Sequence, residues 1–413
     1  MSVFDNIPIA KPVQIFYLRD RFVEDPCENK VLLSIGGYRT EEGDPYVMPA
    51  VKYADKIIHM DESIENVIAT PLGMESFSNA AVTLLLGNKS QAIIKNKYMG
   101  VQCYSSIGGL RIGAEFLARY MGKETFYISD PSYENYERIF RCAGFKTMKT
   151  FRYLDAKNLK LDFKGMMEDL RNADEDSVIV LQMCGHNPTG FDPDELEWDE
   201  LASLFANKRI FPFFDCGYQG LATGDVNKDA YSVRKFAELD VEFFCSQGFS
   251  KIFGMYSERI GNLTITVKDT DLIPIIRSRM AALINSMYLA PPIRSARIIA
   301  YICNNKSLYN QWLNSIKEMA SRMKRVRLQL KEVLDSMQTP GYWEHLVEQV
   351  GCYSYTGLSA KQVEYMMMKH HVYMLSSGRM CVGAIGQWNL YQVARAIHDV
   401  TIQFGDNIRR TSC

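Results

Sequence analysis

The sequence predicts an α/β fold with a large, mostly parallel sheet and a second, smaller α+β domain. Four short runs are almost continuously apolar and then turn polar at their C-terminal ends, and helix-like segments such as "DPDELEWDELASLFANK" lie between some of them. Buried strands that alternate with helices are typical of a parallel sheet covered on both faces. The chain of 413 residues, 47% of them hydrophobic, is long enough for a large core and favours two domains.

The four apolar runs define the predicted strands and, at their ends, a predicted crevice. They are "TFYISDPSY" (125–133), "SVIVLQMCGHNPTG" (177–190), "RIFPFFDCGYQG" (209–220) and "VEFFCSQGFSK" (241–251). In open parallel sheets, ligands bind beyond the carboxyl ends of the strands. The polar side chains expected to converge there are Tyr133, Asn187, Asp215, Tyr218, Ser250 and Lys251.

The C-terminal part of the sequence predicts the second domain. A long amphipathic stretch, 307–338, should form a connecting helix, and shorter strand-like and helical segments follow it. The strand-like segment "KVLLSIGGYRT" near the N-terminus is expected to join the same domain. We therefore predict an N-terminal arm with part of the small domain over 1–45, a large ligand-binding domain over 46–318 and a small C-terminal domain over 319–413.

Composition and charge argue against several classes of protein. Lysine and arginine number 47 against 48 acidic residues, so a nucleic-acid partner is not expected and a small-molecule ligand is favoured. The N-terminus lacks the pattern of a signal peptide and no charge-free apolar stretch could span a bilayer, which predicts a cytoplasmic protein without a membrane partner. The ten cysteines form no CxxC pair and the six histidines show no zinc spacing, so no metal site is predicted.

Four features of the crevice each have a structural interpretation and a functional one. The turn at Ser105 runs directly into a helical pattern, which suits a phosphate but also describes an ordinary helix entry. Asn187 is either an ordinary turn residue or a side-chain hydrogen-bond donor fixed at the end of the strand. Asp215 ends an apolar strand and needs a partner, which a structural ion pair would also supply. Lys251 is a solvated lysine or an amine of lowered pKa that can form a Schiff base.

Taken together, these residues point to one cofactor. A phosphate turn, a buried aspartate, an asparagine, a tyrosine, and Lys251 followed by Arg259 are the protein side of pyridoxal-phosphate chemistry. In that chemistry the lysine bonds to the cofactor, and a carboxylate keeps the pyridine nitrogen protonated so that the ring accepts electrons.

Several motifs then resemble one family. "FSKIFGMYSERIGNLT" closely resembles the lysine motif of class I aminotransferases, and "HNPTG", "FFDCGYQG", "GLRIGAEFL", "YRTEEGDPYVMPAV" and "SGRMCVGAI" extend the resemblance to eukaryotic cytosolic aspartate aminotransferases over nearly the whole chain. The resemblance implies a fold-type I homodimer with its active sites at the subunit interface. It also implies pyridoxal 5'-phosphate as cofactor and amino acids and 2-oxo acids as substrates, with L-aspartate and 2-oxoglutarate giving oxaloacetate and L-glutamate.

The resemblance assigns roles around the cofactor ring. Lys251 would hold the cofactor and move the proton between the substrate Cα and the cofactor. Asp215 would pair with the ring nitrogen, and Asn187 and Tyr218 would bond to the ring 3-oxygen. Tyr133 stands where the family has a ring-stacking tryptophan.

The resemblance also assigns the phosphate and substrate contacts. The phosphate would lie in the turn formed by Ser105, Ser106 and Ile107, with Ser250 and Arg259, and Tyr256 matches a cofactor-binding tyrosine of the family. Gly36 would contact the substrate carboxylate through its backbone, and Arg379 would bind it bidentately. The remaining positions expected to line the substrate are Tyr133, Asn187 and Asn285.

The chain departs from the family at specific positions. In the phosphate turn the family has Ser-Gly-Thr where this chain has Ser105, Ser106 and Ile107, and Ile68 replaces a tyrosine that reaches the partner's phosphate. The remaining changes are Gly248 for a serine, and Gln182 and Tyr136 for two histidines behind the ring.

Asn285 is the departure that bears on the substrate, because the family has there the arginine that pairs with the distal carboxylate of aspartate or glutamate. Transamination of neutral or aromatic amino acids is therefore an alternative. A weakly active paralogue that serves as a binding or heterodimer subunit is another. Arg294 lies close in sequence and is a further candidate to supply the missing charge.

Overall fold

The computed structural model describes residues 2–63 and 67–405 of the chain. Its helices are α1 (Gln14–Glu24), α2 (Pro49–Met60), α3 (Glu75–Leu86), α4 (Gln91–Ile94), α5 (Ser105–Met121), α6 (Tyr136–Cys142), α7 (Phe163–Arg171), α8 (Glu195–Asn207), α9 (Tyr231–Glu238), α10 (Ile273–Tyr288), α11 (Arg294–Asn304), α12 (Lys306–Ser336), α13 (His345–Glu348), α14 (Ala360–His370) and α15 (Leu390–Phe404). Its strands are β1 (Val31–Leu32), β2 (Tyr98–Tyr104), β3 (Thr125–Asp130), β4 (Thr147–Arg152), β5 (Leu154–Asp155), β6 (Lys160–Leu161), β7 (Val178–Gln182), β8 (Phe211–Cys216), β9 (Phe244–Gly248), β10 (Ile260–Thr266), β11 (Tyr353–Tyr355), β12 (Val372–Tyr373) and β13 (Arg379–Cys381).

A seven-stranded sheet in the order β2-β10-β9-β8-β7-β3-β4 forms the centre of the molecule. The four predicted runs are β3, β7, β8 and β9, which are parallel neighbours in this sheet. Strand β10 runs antiparallel to both of its neighbours. The predicted α/β class with a mostly parallel sheet is confirmed.

Both faces of the sheet are buried, which explains why its strands read as continuous apolar runs. Along β7, Ile179 and Leu181 pack into one hydrophobic cluster, whereas Val178 and Val180 pack into the cluster on the opposite face. Between strands, α8 begins with a capping box in which Asp194 accepts from the backbone N–H of Glu197 at 2.9 Å. The apolar run explains why β7 is a buried strand, and the capping box explains where α8 begins.

The C-terminal region is built on α12, the predicted long amphipathic helix. Small two-stranded sheets lie beyond it, one of β11 with β13 and one of β1 with β12. Strand β1 pairs with β12 in parallel, with Val31 opposite Val372, so the segment "KVLLSIGGYRT" joins the C-terminal elements as expected. This pairing carries the loop after β1 to the carboxyl edge of the central sheet.

Residues 2–63 and 67–405 show neither a membrane-spanning helix nor a cluster of metal ligands. Within them, no helix combines the length and apolar character needed to cross a bilayer. No group of three or more histidine, cysteine or acidic side chains in those ranges could hold a metal ion.

Candidate active site

The carboxyl ends of β7, β8 and β9 bring the predicted polar residues together. Gln182 at the end of β7 lies opposite Asp215 on β8, and Asp215 lies opposite Ser246 on β9. Lys251 follows β9 after a short turn. The crevice predicted from the strand ends is therefore formed by these three neighbouring strands.

Asp215 is a carboxylate held at the edge of a hydrophobic sheet. Its Oδ2 accepts a hydrogen bond of 2.8 Å from the Tyr136 hydroxyl, while Oδ1 is buried and has no hydrogen-bond partner among the described residues. Burial raises the pKa of Asp215 to about 6, although Tyr136 and the nearby Lys251 act in the opposite direction. The carboxylate therefore has one oxygen fixed and one available for a cationic or N–H partner.

Lys251 is placed where its amine is not freely solvated. Burial lowers the pKa of Lys251, and the charges of Arg259 and Arg379 act in the same direction, whereas Asp215 raises it. Its Nζ lies 5.5 Å from the centre of the Tyr218 ring. An amine with a lowered pKa has a larger neutral fraction, which is the form that attacks a carbonyl.

A cluster of hydroxyl and guanidinium groups lies at the start of α5. Arg259 donates through Nη2 to Ser105 Oγ at 2.8 Å and through Nη1 to Ser250 Oγ at 3.4 Å. The antiparallel pairing of β10 with β2 brings these groups together, because the Ser105 N–H donates to the Arg259 carbonyl at 2.9 Å. A positive charge, hydroxyls and a helix N-terminus together suit a phosphate.

Two departures from the family pattern turn out to be neighbours. A Cβ placed on Gly248 would lie 3.1 Å from Ser106 Oγ, so the two positions face each other. The resemblance implies a glycine at position 106 and a serine at position 248, and Ser106 supplies a hydroxyl between β9 and α5 in this chain. Ile107 is half-buried and lies with Tyr133 along a groove beside Phe16.

On the opposite side of the crevice, Arg379 is buried and held by two oxygens. Its Nη1 donates to Asn187 Oδ1 at 2.9 Å and its Nη2 to the Ser34 carbonyl at 2.8 Å. Its Nε is buried and has no hydrogen-bond partner within the described ranges. A fixed guanidinium with an available N–H matches a carboxylate. Ser34 was not identified from the sequence.

The asparagine itself is fixed by a closed set of hydrogen bonds. Gln182 exchanges two bonds of 2.8 Å with the backbone of Asn187. The neighbouring His186 bonds to Ser129 and Thr189 and stacks on Tyr153 at 3.8 Å. Burial lowers the pKa of His186 to about 3, so its ring is neutral.

The remaining aromatic positions surround the same crevice. Tyr133 packs edge-on against Tyr136 with ring centres 5.3 Å apart, and its pKa is raised by burial and by Asp215. The Tyr256 hydroxyl accepts from the Tyr38 N–H at 3.1 Å, close along the chain to Gly36. A further tyrosine, Tyr353, was missed from the sequence although its ring centre lies 4.3 Å from the Arg379 guanidinium carbon.

Two of the positions at which the chain departs from the family are exposed in the single chain. Asn285, in the last turn of α10, is exposed, and Ile68 is 71% exposed. Arg294 is also exposed, and its guanidinium is engaged with Asp55 at 2.9 Å.

Pyridoxal phosphate fits the residues present. The unpartnered Oδ1 of Asp215 suits a protonated pyridine nitrogen, and the Ser105–Arg259 cluster suits a phosphate. A parallel sheet with these groups and a low-pKa lysine at its edge defines the class of pyridoxal-phosphate-dependent enzymes.

Comparison with known proteins identifies the family within this class. The family described as aminotransferase class I and II matches residues 28–397, and the chain belongs to it. The chain is 41% identical over 403 residues to cytoplasmic aspartate aminotransferase of Gallus gallus, covering 96% of this chain and 98% of that protein. It is a pyridoxal-phosphate-dependent aminotransferase.

Solved structures agree in fold. Aspartate aminotransferase from the cytoplasm of Saccharomyces cerevisiae superposes with a TM-score of 0.95 and 35% identity, covering 98% of this chain and 99% of that one. The aromatic-amino-acid aminotransferase of Burkholderia pseudomallei, covalently bound to pyridoxal phosphate, superposes with a TM-score of 0.93 and 32% identity, covering 97% and 100%.

Proposed function

We propose that this protein transfers the amino group of L-aspartate to 2-oxoglutarate, giving oxaloacetate and L-glutamate. The observation that carries the proposal is the buried Arg379, fixed by Asn187 and Ser34 with an N–H available to a carboxylate on the same edge as Lys251. Relatives named aspartate aminotransferase support this choice of substrate.

The roles proposed for the residues come from the family resemblance and are supported by their positions at one edge of the sheet. The cofactor, when bound, supplies an electron sink for the carbanion formed at the substrate Cα. Lys251 Nζ takes the proton from Cα and returns it at the next step, which the lowered pKa of this amine favours. Asp215 would keep the ring nitrogen protonated. Arg259, Ser105 and Ser250 would hold the phosphate.

The other contacts orient the two reactants. Asn187 and Tyr218 would bond to the ring 3-oxygen, and Tyr133 would cover the face of the ring. Arg379 and the Gly36 backbone would hold the substrate carboxylate at the edge of the sheet that carries Lys251. Ser106, Ile107 and Tyr256 would complete the contacts with the cofactor.

Transamination of neutral or aromatic amino acids is the second candidate. Asn285 carries no charge and Arg294 is engaged with Asp55, so neither supplies a free cation to a distal carboxylate. A structural relative named for aromatic amino acids supports the alternative. Without a cation, a buried distal carboxylate would be costly to desolvate.

The assembly, compartment and domains are part of the same proposal. The protein acts as a homodimer in the cytoplasm, where the chicken and yeast relatives named above are found. Apolar side chains of the N-terminal arm, such as Val3 and Ile9, are almost fully exposed in the single chain, which supports contact with a second copy. We propose domain boundaries at 45 and 318, and the pairing of β1 with β12 supports the grouping of the N-terminal segment with the C-terminal domain.

One assay separates the candidates. The purified protein is loaded with pyridoxal phosphate, and kcat/KM is measured for aspartate and for phenylalanine with 2-oxoglutarate as acceptor. Preference for aspartate supports the main proposal, and preference for phenylalanine supports the alternative. A protein that binds the cofactor but turns over neither amino acid contradicts both and indicates a binding or heterodimer subunit.

A further inference from the structure

The ring of Tyr353 packs against Arg379, the arginine of the carboxylate site. In the antiparallel pair β11–β13, Tyr353 is opposite Cys381 and Tyr355 is opposite Arg379, so Tyr353 and Arg379 are diagonal neighbours on one face. The ring centre of Tyr353 lies 4.3 Å from the guanidinium carbon of Arg379. This distance is that of a cation–π contact, and both side chains are buried.

The hydroxyl end of the same side chain packs against the backbone at Gly36. A Cβ placed on Gly36 would lie 2.0 Å from the Tyr353 hydroxyl oxygen and 2.9 Å from its Cζ. Any side chain at position 36 would therefore displace this tyrosine. The ring also meets Tyr218 edge-on, with centres 5.8 Å apart.

Arg327 on α12 fixes the strand that carries Tyr353. This arginine is 3% exposed, and its Nη2 donates to the carbonyls of Gly351 at 2.7 Å and Tyr353 at 2.9 Å. Its Nε donates to Ser354 Oγ at 3.0 Å. Gly351 has φ +81° and lies against Gly185, so the strand has no room to shift toward the Asn187 loop.

We propose that Tyr353 is a positioning residue for the α-carboxylate of the substrate, because its ring fixes the plane of the Arg379 guanidinium while its hydroxyl end fixes Gly36. Asn187 and Ser34 hold the guanidinium at its edges, and Tyr353 adds the constraint perpendicular to that plane. A guanidinium fixed in this way loses less conformational freedom when a carboxylate binds. The inference rests on the proposed function, since it concerns the same carboxylate site.

The test compares Tyr353→Leu, which removes the ring, with Tyr353→Phe, which keeps it. Steady-state kinetics are measured on the holoenzyme, and binding of 2-oxoglutarate is measured by calorimetry without turnover. We expect Tyr353→Leu to raise KM and the Kd of 2-oxoglutarate by about five- to thirtyfold, the equivalent of one buried cation–π contact, with a smaller change in kcat. Tyr353→Phe keeps the ring against Arg379 but lacks the oxygen that contacts Gly36, so its values should lie between those of the wild type and Tyr353→Leu.

Tyr365→Leu is the control, because Tyr365 is a partly buried tyrosine whose ring meets His370 and Phe404 rather than the site. It should leave KM unchanged. A Tyr353→Leu enzyme with wild-type KM and Kd overturns the inference, as does a loss confined to kcat. If the wild type lacks turnover, the proposed function fails, and calorimetry still decides the role of Tyr353.

A second measurement does not depend on the folding of Tyr353→Leu. Gly36→Ala is made in the wild type and in Tyr353→Phe, and 2-oxoglutarate binding is compared in all four proteins. Because the closest approach is to the hydroxyl oxygen, the alanine should weaken binding less in the phenylalanine background. An equal penalty in both backgrounds contradicts contact between the two residues.

Discussion

Replacing Tyr136 with phenylalanine should change how the stability of the cofactor-free protein depends on pH. Tyr136 is 1% exposed, and its hydroxyl donates a hydrogen bond of 2.8 Å to the Asp215 carboxylate. A hydrogen bond to a charged group contributes about 1.5–3 kcal/mol, which corresponds to about 1–2 pKa units. The pKa of Asp215, about 6 in the wild type, should therefore be higher in Tyr136→Phe.

The sign follows from proton binding. Because the pKa of Asp215 in the folded protein lies above its value of about 3.9 in an unfolded chain, folding favours the protonated form. The stability that this group contributes is fully present below about pH 4 and is lost as pH rises through about 6. In Tyr136→Phe the loss should continue to higher pH than in the wild type, and once Asp215 is ionised in both proteins the variant should be less stable by about 1.5–3 kcal/mol.

Urea unfolding of both proteins from pH 5 to 8.5 measures this difference. The control is the same substitution in an Asp215→Asn background, where the effect of Tyr136→Phe should not vary with pH. A difference between wild type and Tyr136→Phe that stays constant over the whole range would refute the reasoning, because Asp215 would then not titrate against Tyr136.

Three further substitutions test the cofactor and substrate contacts. Lys251→Ala should fold but yield no cofactor adduct after borohydride reduction, and an adduct on another lysine would contradict the assignment. Ile107→Thr restores a hydroxyl to the phosphate turn and should slow cofactor dissociation, with affinity rising by about 10- to 100-fold, and unchanged dissociation would show that ordered water already fills this role. Asn285→Arg should raise kcat/KM for aspartate relative to phenylalanine by about two to four powers of ten, and an unchanged ratio would mean that another group binds the distal carboxylate.

The strand ends were predictable from the sequence because the pattern is local. Asp215 and Lys251 each follow an apolar run, and adjacent parallel strands place such residues at one edge. The motif resemblance added the roles of residues distant in sequence, including Arg379. Asp215 and Lys251 therefore required no knowledge of the fold beyond its class.

Strand β10 was not predicted because its interior is polar. Asn262 and Thr264 are buried there and bond to Gln247 on β9, at 3.3 and 3.0 Å, so the apolar pattern that marks a buried strand is interrupted. A side-chain network of this kind is visible only after the strands are paired.

Tyr353 was missed for a different reason. Its contacts with Gly36, Tyr218 and Arg379 connect parts of the chain separated by many residues, and the local sequence "GCYSYTGL" contains two tyrosines with nothing to distinguish them. The exposure of Asn285 could not be predicted either, because a helical residue near a proline pair can line a pocket or lie on the surface.

The pairing of β1 with β12 determines the order in which parts of the site can form while the chain is being synthesised. Ribosomes extend a chain at about 5–20 residues per second, so roughly 20–70 s separate the synthesis of Val31 from that of its partner Val372. The strands of the central sheet, between 98 and 266, are all synthesised during that interval. Ser34 is then already part of the chain, but Arg379, which donates a hydrogen bond to its carbonyl, is not. The substrate-holding half of the site is completed last, and a nascent chain halted before position 379 would present the lysine and the phosphate cluster without the arginine that receives a substrate.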